Sequence, residues 1–103
     1  MYLGIVITDE SYLSHANNLL DAAAARGWRT LCFLTDTGVN LLADAGFAER
    51  ARAHPNGVTL CKHSAELYAA GRFDLDALAD VVIVGGQYQD AELVRKCDKV
   101  LVF

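Results

Sequence analysis

The sequence lacks the short motifs that mark most nucleotide-binding, hydrolytic and redox α/β proteins. The turn after the first apolar run, residues 8–11, contains no glycine, which argues against a dinucleotide site. No G-x-x-x-x-G-K-[ST] or G-x-S-x-G pattern is present, so neither a P-loop nor a hydrolase nucleophile elbow is expected. The absence of C-x-x-C argues against a thioredoxin-type pair and a structural zinc site. We therefore expect no cofactor and no metal.

The chain also has little positive charge and no long apolar run. Its formal net charge is −4 without a basic cluster, so a nucleic-acid partner is not expected. No apolar run approaches the roughly 20 residues of a membrane span, and residues 1–3 do not resemble the start of a signal peptide. The three cysteines are widely spaced and odd in number, as free thiols in a cytoplasmic protein would be. We expect a cytoplasmic protein with no membrane contact.

Apolar runs and helical periodicity alternate along the whole sequence. Short continuous apolar runs predict strands, and apolar residues repeated every three or four positions predict helices. The predicted strands cover residues 4–7, 28–34, 58–61, 81–84 and 100–103. The predicted helices cover residues 12–24, 39–52, 62–71, 75–79 and 90–96. This order predicts one α/β domain over residues 1–103: a three-layer α/β/α sandwich around a five-stranded parallel sheet with flavodoxin-like winding.

Cys61 is the most informative residue, because it stands where such folds place their chemistry. It follows the third predicted strand and precedes the third predicted helix, and ligands of these folds bind beyond the carboxyl ends of the strands. Backbone N–H groups at a helix start stabilise a thiolate, and Lys62 and His63 are its candidate supporting residues. The residues expected to line the surrounding pocket are Asp9, Tyr12, Asp36, Gly38, Gly85, Gly86 and Gln87.

Each of these residues also has a purely structural interpretation. Cys61 would then be a buried core thiol, and Asp9 and Asp36 would cap the helices that follow them. The glycines would serve ordinary turn geometry. Of the other thiols, Cys32 is expected in the core, and the charge of Asp98 should disfavour the thiolate of Cys97.

Taken together, these segments resemble the DsrE/DsrF-like family of small sulfur-relay proteins over nearly the whole length. The resemblance is carried by a first helix rich in Leu and Ala and by the segments 4–9 (GIVITD), 33–39 (FLTDTGV), 58–65 (VTLCKHSA) and 98–103 (DKVLVF). It implies a five-stranded α/β sandwich that assembles into a homo-oligomer, a trimer or a hexamer, and works with other sulfur-relay proteins. It also implies a cysteine that accepts sulfane sulfur as a persulfide, and that cysteine maps onto Cys61.

Two other functions stay open at this point. The first is a small-molecule or anion-binding module with an inert cysteine, in which the N–H groups of Gly38, Gly85 and Gly86 hold the ligand. The second is a structural subunit of a DsrE-like complex, for which a permanently buried Cys61 would be expected. A thiol peroxidase is a weaker variant of the enzymatic interpretation.

Overall fold

The computed structural model describes residues 1–103, and its centre is one parallel sheet of five strands. The strands are β1 (Tyr2–Ile7), β2 (Arg29–Leu34), β3 (Val58–Cys61), β4 (Val82–Gly85) and β5 (Lys99–Val102). Each neighbouring pair is parallel, in the order β4-β3-β2-β1-β5. The predicted α/β class and the all-parallel five-stranded sheet are confirmed.

The winding of the sheet differs from the flavodoxin order that we expected. Flavodoxin-like sheets follow the order 2-1-3-4-5, in which β1 lies between β2 and β3. Here the chain adds β2, β3 and β4 successively on one side of β1 and then returns across the sheet to place β5 on the other side. Apolar patterns define the strands but carry little information on which neighbour each strand pairs with.

Four α-helices and three 3-10 helices connect the strands. The α-helices are α1 (Leu13–Ala25), α2 (Ala45–Ala53), α3 (Lys62–Tyr68) and α4 (Gln87–Lys96). The 3-10 helices cover Glu10–Tyr12, Asp36–Ala43 and Asp76–Leu78. None of these helices is long and apolar enough to cross a membrane.

The two faces of the sheet are covered unequally. Successive side chains of a strand point to opposite faces, so Ile5 and Ile7 of β1 lie on one face and Val6 on the other. The face of Ile5 belongs to a core cluster of 18 buried residues that includes side chains of α1, α2 and the 3-10 helix Asp36–Ala43. The face of Val6 belongs to a cluster of only four, in which Leu93 is contributed by α4. Three layers result, one of them a single helix.

Local signals account for where the first helix begins and ends. The carboxylate of Asp9 accepts a hydrogen bond from Ser11 N–H at 2.8 Å and caps the 3-10 turn that leads into α1. Ala16, Leu20 and Ala23 of α1 are buried. Gly27 follows the helix with a φ of 72°, a left-handed conformation that glycine adopts without strain. The capping role expected of Asp9 is confirmed.

The predicted helix over residues 39–52 is wrong. Its first part is the 3-10 helix Asp36–Ala43, after which Asp44 is extended with a ψ of 127°. The Asp44 carboxylate accepts a hydrogen bond from Phe47 N–H at 2.9 Å and so begins α2 as a separate helix. A capping aspartate within an apolar periodic stretch interrupts the helix that the periodicity alone predicts.

Candidate functional site

Cys61 is the last residue of β3. The strands β3 and β4 are the one neighbouring pair whose following helices lie on opposite faces of the sheet. The Cα of Cys61 is the register partner of Gly85 in β4. The chain leaves β3 through α3, whose Ala65 packs against the larger core cluster, whereas it leaves β4 through α4 on the opposite face. Connections that leave to opposite faces open a crevice between the carboxyl ends of the two strands, and ligands of open parallel sheets bind there. Cys61 and Gly85 lie side by side at this position, where such a crevice is expected.

Polar groups at the start of α3 and after β2 counteract the effect of burial on the thiol of Cys61. The residue is buried, with 8% of its surface exposed, and it packs with Phe33 and Leu93 on the face of α4. Burial has the largest single influence on the pKa of Cys61 and raises it. Hydrogen bonds from the Ser64 side chain and backbone, the His63 backbone and the Thr35 side chain act in the other direction and together outweigh burial. The pKa of Cys61 is therefore lowered from its ordinary value of 9.0.

Two hydroxyl residues belong to this site although the sequence analysis did not select them. Ser64 Oγ accepts a hydrogen bond from Asp36 N–H at 2.9 Å and lies 3.4 Å from Thr35 Oγ1. Ser64 is buried in α3, and Thr35 is the first residue after β2. A signal for Ser64 was available, because residues i and i+3 at a helix start lie on one side. For Thr35 the only signal was its position at a strand end.

The predicted supporting residues act differently from what we expected. The side chains of Lys62 and His63 are exposed, and His63 reaches the thiol through its backbone N–H. The charge of Lys62 is not among the causes of the lowered pKa of Cys61. Lys62 instead borders an apolar depression of about 320 Å³ beside α3, together with residues such as Phe73 and Leu75.

The residues after β1 form a group of their own. Asp9 is exposed and is occupied with capping, and its hydrogen bonds with Ser11 lower the pKa of its carboxyl group. The ring of Tyr12 lies against His15 and Phe103, with ring centroids 5.5 and 5.7 Å away. Neither side chain hydrogen-bonds to the end of β3. The structure does not bring these two predicted pocket residues together with the thiol.

Asp36 and Gly38 shape the loop beside the thiol through their backbones. Asp36 has a left-handed φ of 49°, and its N–H points at Ser64. Its side chain caps no helix, so the expected capping role of Asp36 is wrong. A Cβ on Gly38 would lie 2.2 Å from the carbonyl oxygen of Ile7, which shows how closely this loop packs on the end of β1. Both residues hold Ser64 and Thr35 in place.

Two of the three glycines expected to bind an anion use their N–H groups within the protein. Gly86 N–H donates to Gln89 Oε1 at 2.8 Å, and Gly38 N–H donates to the carbonyl of Thr35 at 2.9 Å. The Gln89 amide also fills the space above Gly85, within 2.3 Å of where a Cβ would stand. Gln87 is exposed at the start of α4. The N–H groups of Gly38 and Gly86 are thus engaged within the protein, and the anion-binding interpretation stays a prediction.

The other two thiols are less acidic than Cys61. Cys32 lies in the core of the sheet, 2% exposed, and burial raises its pKa to about 12. Burial and then the negative charge of Asp98 raise the pKa of Cys97. The core position expected of Cys32 and the disfavoured thiolate of Cys97 are both confirmed. All three cysteines are free.

The larger surface depressions lie elsewhere. One of about 600 Å³ is at the opposite end of the sheet, at the amino ends of its strands, beside residues such as Trp28, His54 and Gly57. The other is the apolar depression beside α3, and Cys61 lines neither of them. No three His, Cys, Asp or Glu side chains form a group that could hold a metal ion.

Comparisons with known proteins identify no relative. No protein-family model matches the sequence, and no curated protein is significantly similar to it. The resemblance to the DsrE/DsrF-like family therefore stays a prediction, and the site has to be interpreted from its own chemistry.

Proposed function

We propose that this protein carries sulfane sulfur as a persulfide on Cys61 and passes it to a cysteine of a partner protein. The observation that carries the proposal is a thiol with a lowered pKa at the carboxyl end of β3, beside β4 whose following helix lies on the opposite face. Thiolates, not thiols, attack sulfur, so a lowered pKa increases the reactive fraction near neutral pH. The proposal adopts the activity that the DsrE/DsrF-like resemblance implies.

The distance between Cys61 and the other thiols supports a carrier rather than a disulfide-forming enzyme. Cys97 Sγ lies beside Gly4, 3.1 Å from where a Cβ would be. Gly4 is four residues along the strands and two strands across from Cys61 in the register. Four residues along a strand span about 13 Å, and two strand spacings span about 10 Å. A disulfide, by contrast, needs Cα atoms within about 7 Å of each other. Cys32 is on the opposite face of the sheet. A persulfide on Cys61 would meet no internal thiol.

The proposed reaction consists of two sulfur transfers. The Cys61 thiolate attacks the outer sulfur of a donor persulfide, so that a new S–S bond forms on Cys61 while the donor S–S bond breaks. The donor leaves as a thiolate, and Cys61 carries the S–SH group. An acceptor thiolate then attacks that outer sulfur, takes it, and releases the Cys61 thiolate. Neither step needs an oxidant or a reductant beyond the donor and the acceptor.

Intact mass spectrometry after exposure to polysulfide tests the proposal. We expect the wild type to gain one sulfur atom and Cys61→Ser to gain none, because the only acidic thiol is then absent. Cys97→Ser is the matched control, since Cys97 is partly exposed but has a raised pKa, and it should gain sulfur like the wild type. An adduct that survives in Cys61→Ser, or one that is lost in Cys97→Ser, contradicts the assignment.

The proposal includes a homo-oligomer, a trimer or a hexamer, that works in the cytoplasm with other sulfur-relay proteins. β5 pairs only with β1, so its outer edge is open. Val102 at the end of β5 is 66% exposed and Val94 of α4 is 58% exposed. Apolar side chains around an open strand edge favour pairing with a second chain. We assign this surface to a second copy of the protein.

A structural subunit is the second candidate function. It is favoured by the 8% exposure of Cys61 and by its absence from the larger depressions. In that case polysulfide would leave Cys61 unmodified in the folded protein. The mass measurement therefore distinguishes the two candidates.

A further inference from the structure

The parallel sheet has two edge strands, β4 and β5, and both are open on one side. Each pairs with a single neighbour, β4 with β3 and β5 with β1. The N–H and C=O groups that the pairing does not use face outward along each edge. Both edge strands are four residues long. The outer edges of β4 and β5 therefore offer rows of unpaired backbone groups of equal length.

The two edges also match in the faces to which their side chains point. Val84 of β4 is the register partner of Leu60, and Leu101 of β5 is the register partner of Ile5. Leu60 and Ile5 both belong to the larger core cluster, so Val84 and Leu101 point to the same face of the sheet. A parallel β5 from a second copy can therefore continue the sheet beyond β4, with Leu101 beside Val84.

This register brings together two apolar side chains that are exposed in the single chain. Val84 is 40% exposed and Leu101 is 41% exposed. Val84 also lines the apolar depression of about 320 Å³ beside α3, together with Phe73 and Leu75. In the continued sheet Leu101 stands at the border of that depression. The contact therefore removes apolar surface of both copies from water.

Charges of opposite sign stand at the amino ends of the two edge strands. Asp80 is exposed two residues before β4, and Lys99 is exposed as the first residue of β5. Neither forms an ion pair within the chain. In the same register Lys99 lies beside Val82, and its Cα is about 8 Å from that of Asp80, a distance that a lysine side chain spans. Pairing either edge with its own copy would bring no opposite charge to Asp80 or to Lys99.

We infer that β5 of one copy pairs with β4 of the next in a parallel, head-to-tail contact that joins their sheets. The inference rests on the assembly included in the proposed function and specifies which surface the β5 edge meets. A head-to-tail contact uses different surfaces on the two partners, so no edge strand stays open once the copies close into a ring. In this register Val102 of one copy lies beside Gly85 of the next, and Gly85 is the register partner of Cys61. The neighbouring copy therefore borders the end of the sheet that carries the thiol.

Exchanging the charges of Asp80 and Lys99 tests this contact. Molar mass is measured by light scattering after size-exclusion chromatography, at low ionic strength and over a series of protein concentrations. We expect Asp80→Lys and Lys99→Asp each to raise the dissociation constant of the assembly about tenfold, since each replaces an attraction between copies by a repulsion. The double variant should return to the wild-type value, because its two charges are exchanged but still opposite. Glu49→Lys makes the same charge change at an exposed residue of α2 and should leave the dissociation constant unchanged.

A mixture of equal amounts of the two single variants checks the direction of the contact. The β4 edge of Asp80→Lys meets the β5 edge of Lys99→Asp with opposite charges, and the reverse contact has the charges of the wild type. The mixture should therefore assemble more tightly than either variant alone. An assembly that Asp80→Lys leaves unchanged, or one that the double variant does not restore, overturns the inference.

Polysulfide loading of Cys61 separates this inference from the persulfide function. If the double variant restores the assembly but the wild type gains no sulfur, only the persulfide function is overturned. If the wild type gains sulfur on Cys61 but is a monomer, or assembles without regard to the charge at Asp80, the head-to-tail contact is overturned and the persulfide function stands.

Discussion

Two cysteines on adjacent strands show how strongly position controls the chemistry of a single residue type. Cys32 points into the larger core cluster, where no polar group reaches it, and burial raises its pKa to about 12. Cys61 is also buried, but hydroxyl and backbone donors at the end of its strand lower its pKa. Both effects follow from whether the charged form of sulfur is solvated.

The raised pKa of Cys32 makes the stability of the protein decrease at alkaline pH. The unfolded chain releases this proton near pH 9.0, whereas the folded protein retains it up to about pH 12. The contribution of the Cys32 thiol to the free energy of unfolding is complete below pH 9 and is lost as pH rises from 9 toward 12. The loss relative to a non-ionising residue is about 2 kcal/mol at pH 10.5. Urea denaturation at pH 8 and pH 10.5 should show this extra loss in the wild type and not in Cys32→Val. Equal losses in the two proteins would show that Cys32 ionises normally.

At the residue scale, the sequence predicts the position of the thiol but not its immediate partners. Cys61 could be found because the end of a buried strand is visible as the end of an apolar run. Ser64 had a signal in its i+3 spacing from Cys61, but its contact with Asp36 N–H depends on the backbone conformation of Asp36. Thr35 had no signal beyond its place at a strand end, because its relevance depends on which strands are neighbours. Asp9 and Tyr12 were included because they too follow a strand, but β1 lies two strands away from β3.

At the scale of elements, the 3-10 helix Asp36–Ala43 holds the site loop against the sheet. Val39, Leu41 and Leu42 of this segment are buried in the larger core cluster. Gly38 permits the close approach, since its backbone lies against the carbonyl of Ile7. Asn40 joins the same segment to the end of α3 by donating from Nδ2 to the carbonyl of Tyr68 at 3.2 Å. The helix α3, which follows Cys61, is thus tied near both of its ends to one short element.

Replacing Gly38 by Ala should destabilise the protein. The added Cβ meets backbone atoms of Ile7 at 2.2 and 2.8 Å, which cannot move aside as a flexible side chain could. Overpacking of this kind costs about 1–3 kcal/mol, measured as a lower free energy of unfolding in urea. Gly86→Ala is the matched control, because no atom lies within 4 Å of its added Cβ. If both variants lose the same free energy of unfolding, the close approach of Gly38 to Ile7 is not the cause of the loss.

Element types were easier to predict than the places where elements divide. All five strands were predicted, since each is a continuous apolar run between turn residues. The division between the 3-10 helix Asp36–Ala43 and α2 was missed, because the capping hydrogen bond of Asp44 competes with the apolar periodicity around it. The third helix was predicted to end near Gly71 but ends at Tyr68, three residues earlier.

At the scale of the whole molecule, the face covered by α4 alone is the less protected one. A single helix of ten residues lies over this face, and it contacts mainly β1 and β2. On this face the end of β5 is therefore left with an exposed apolar side chain, that of Val102. This distribution of apolar surface is the basis of the proposed assembly.

A charge introduced on this surface should dissociate the assembly. We expect Val102→Asp to lower the molar mass measured by light scattering after size-exclusion chromatography, because a buried unpaired charge is costly. Leu67→Asp is the control, since Leu67 is also an exposed apolar residue but belongs to α3. A wild-type protein of monomer mass, or an unchanged assembly in Val102→Asp, contradicts the assignment of this surface.

The pairing of β1 with β5 also determines when the sheet of a single chain can be completed during synthesis. Thr8 donates both its N–H and its hydroxyl to the carbonyl of Phe103, a residue 95 positions later, and Asp98 N–H donates to the carbonyl of Tyr2. On the ribosome, β1 emerges before β5, and Thr8 must wait for 95 further residues before this side of the strand is paired. During that interval one edge of the central sheet is a template for any other nascent chain. Synthesis rate and chaperone access should therefore affect the yield of this protein more than its final stability suggests.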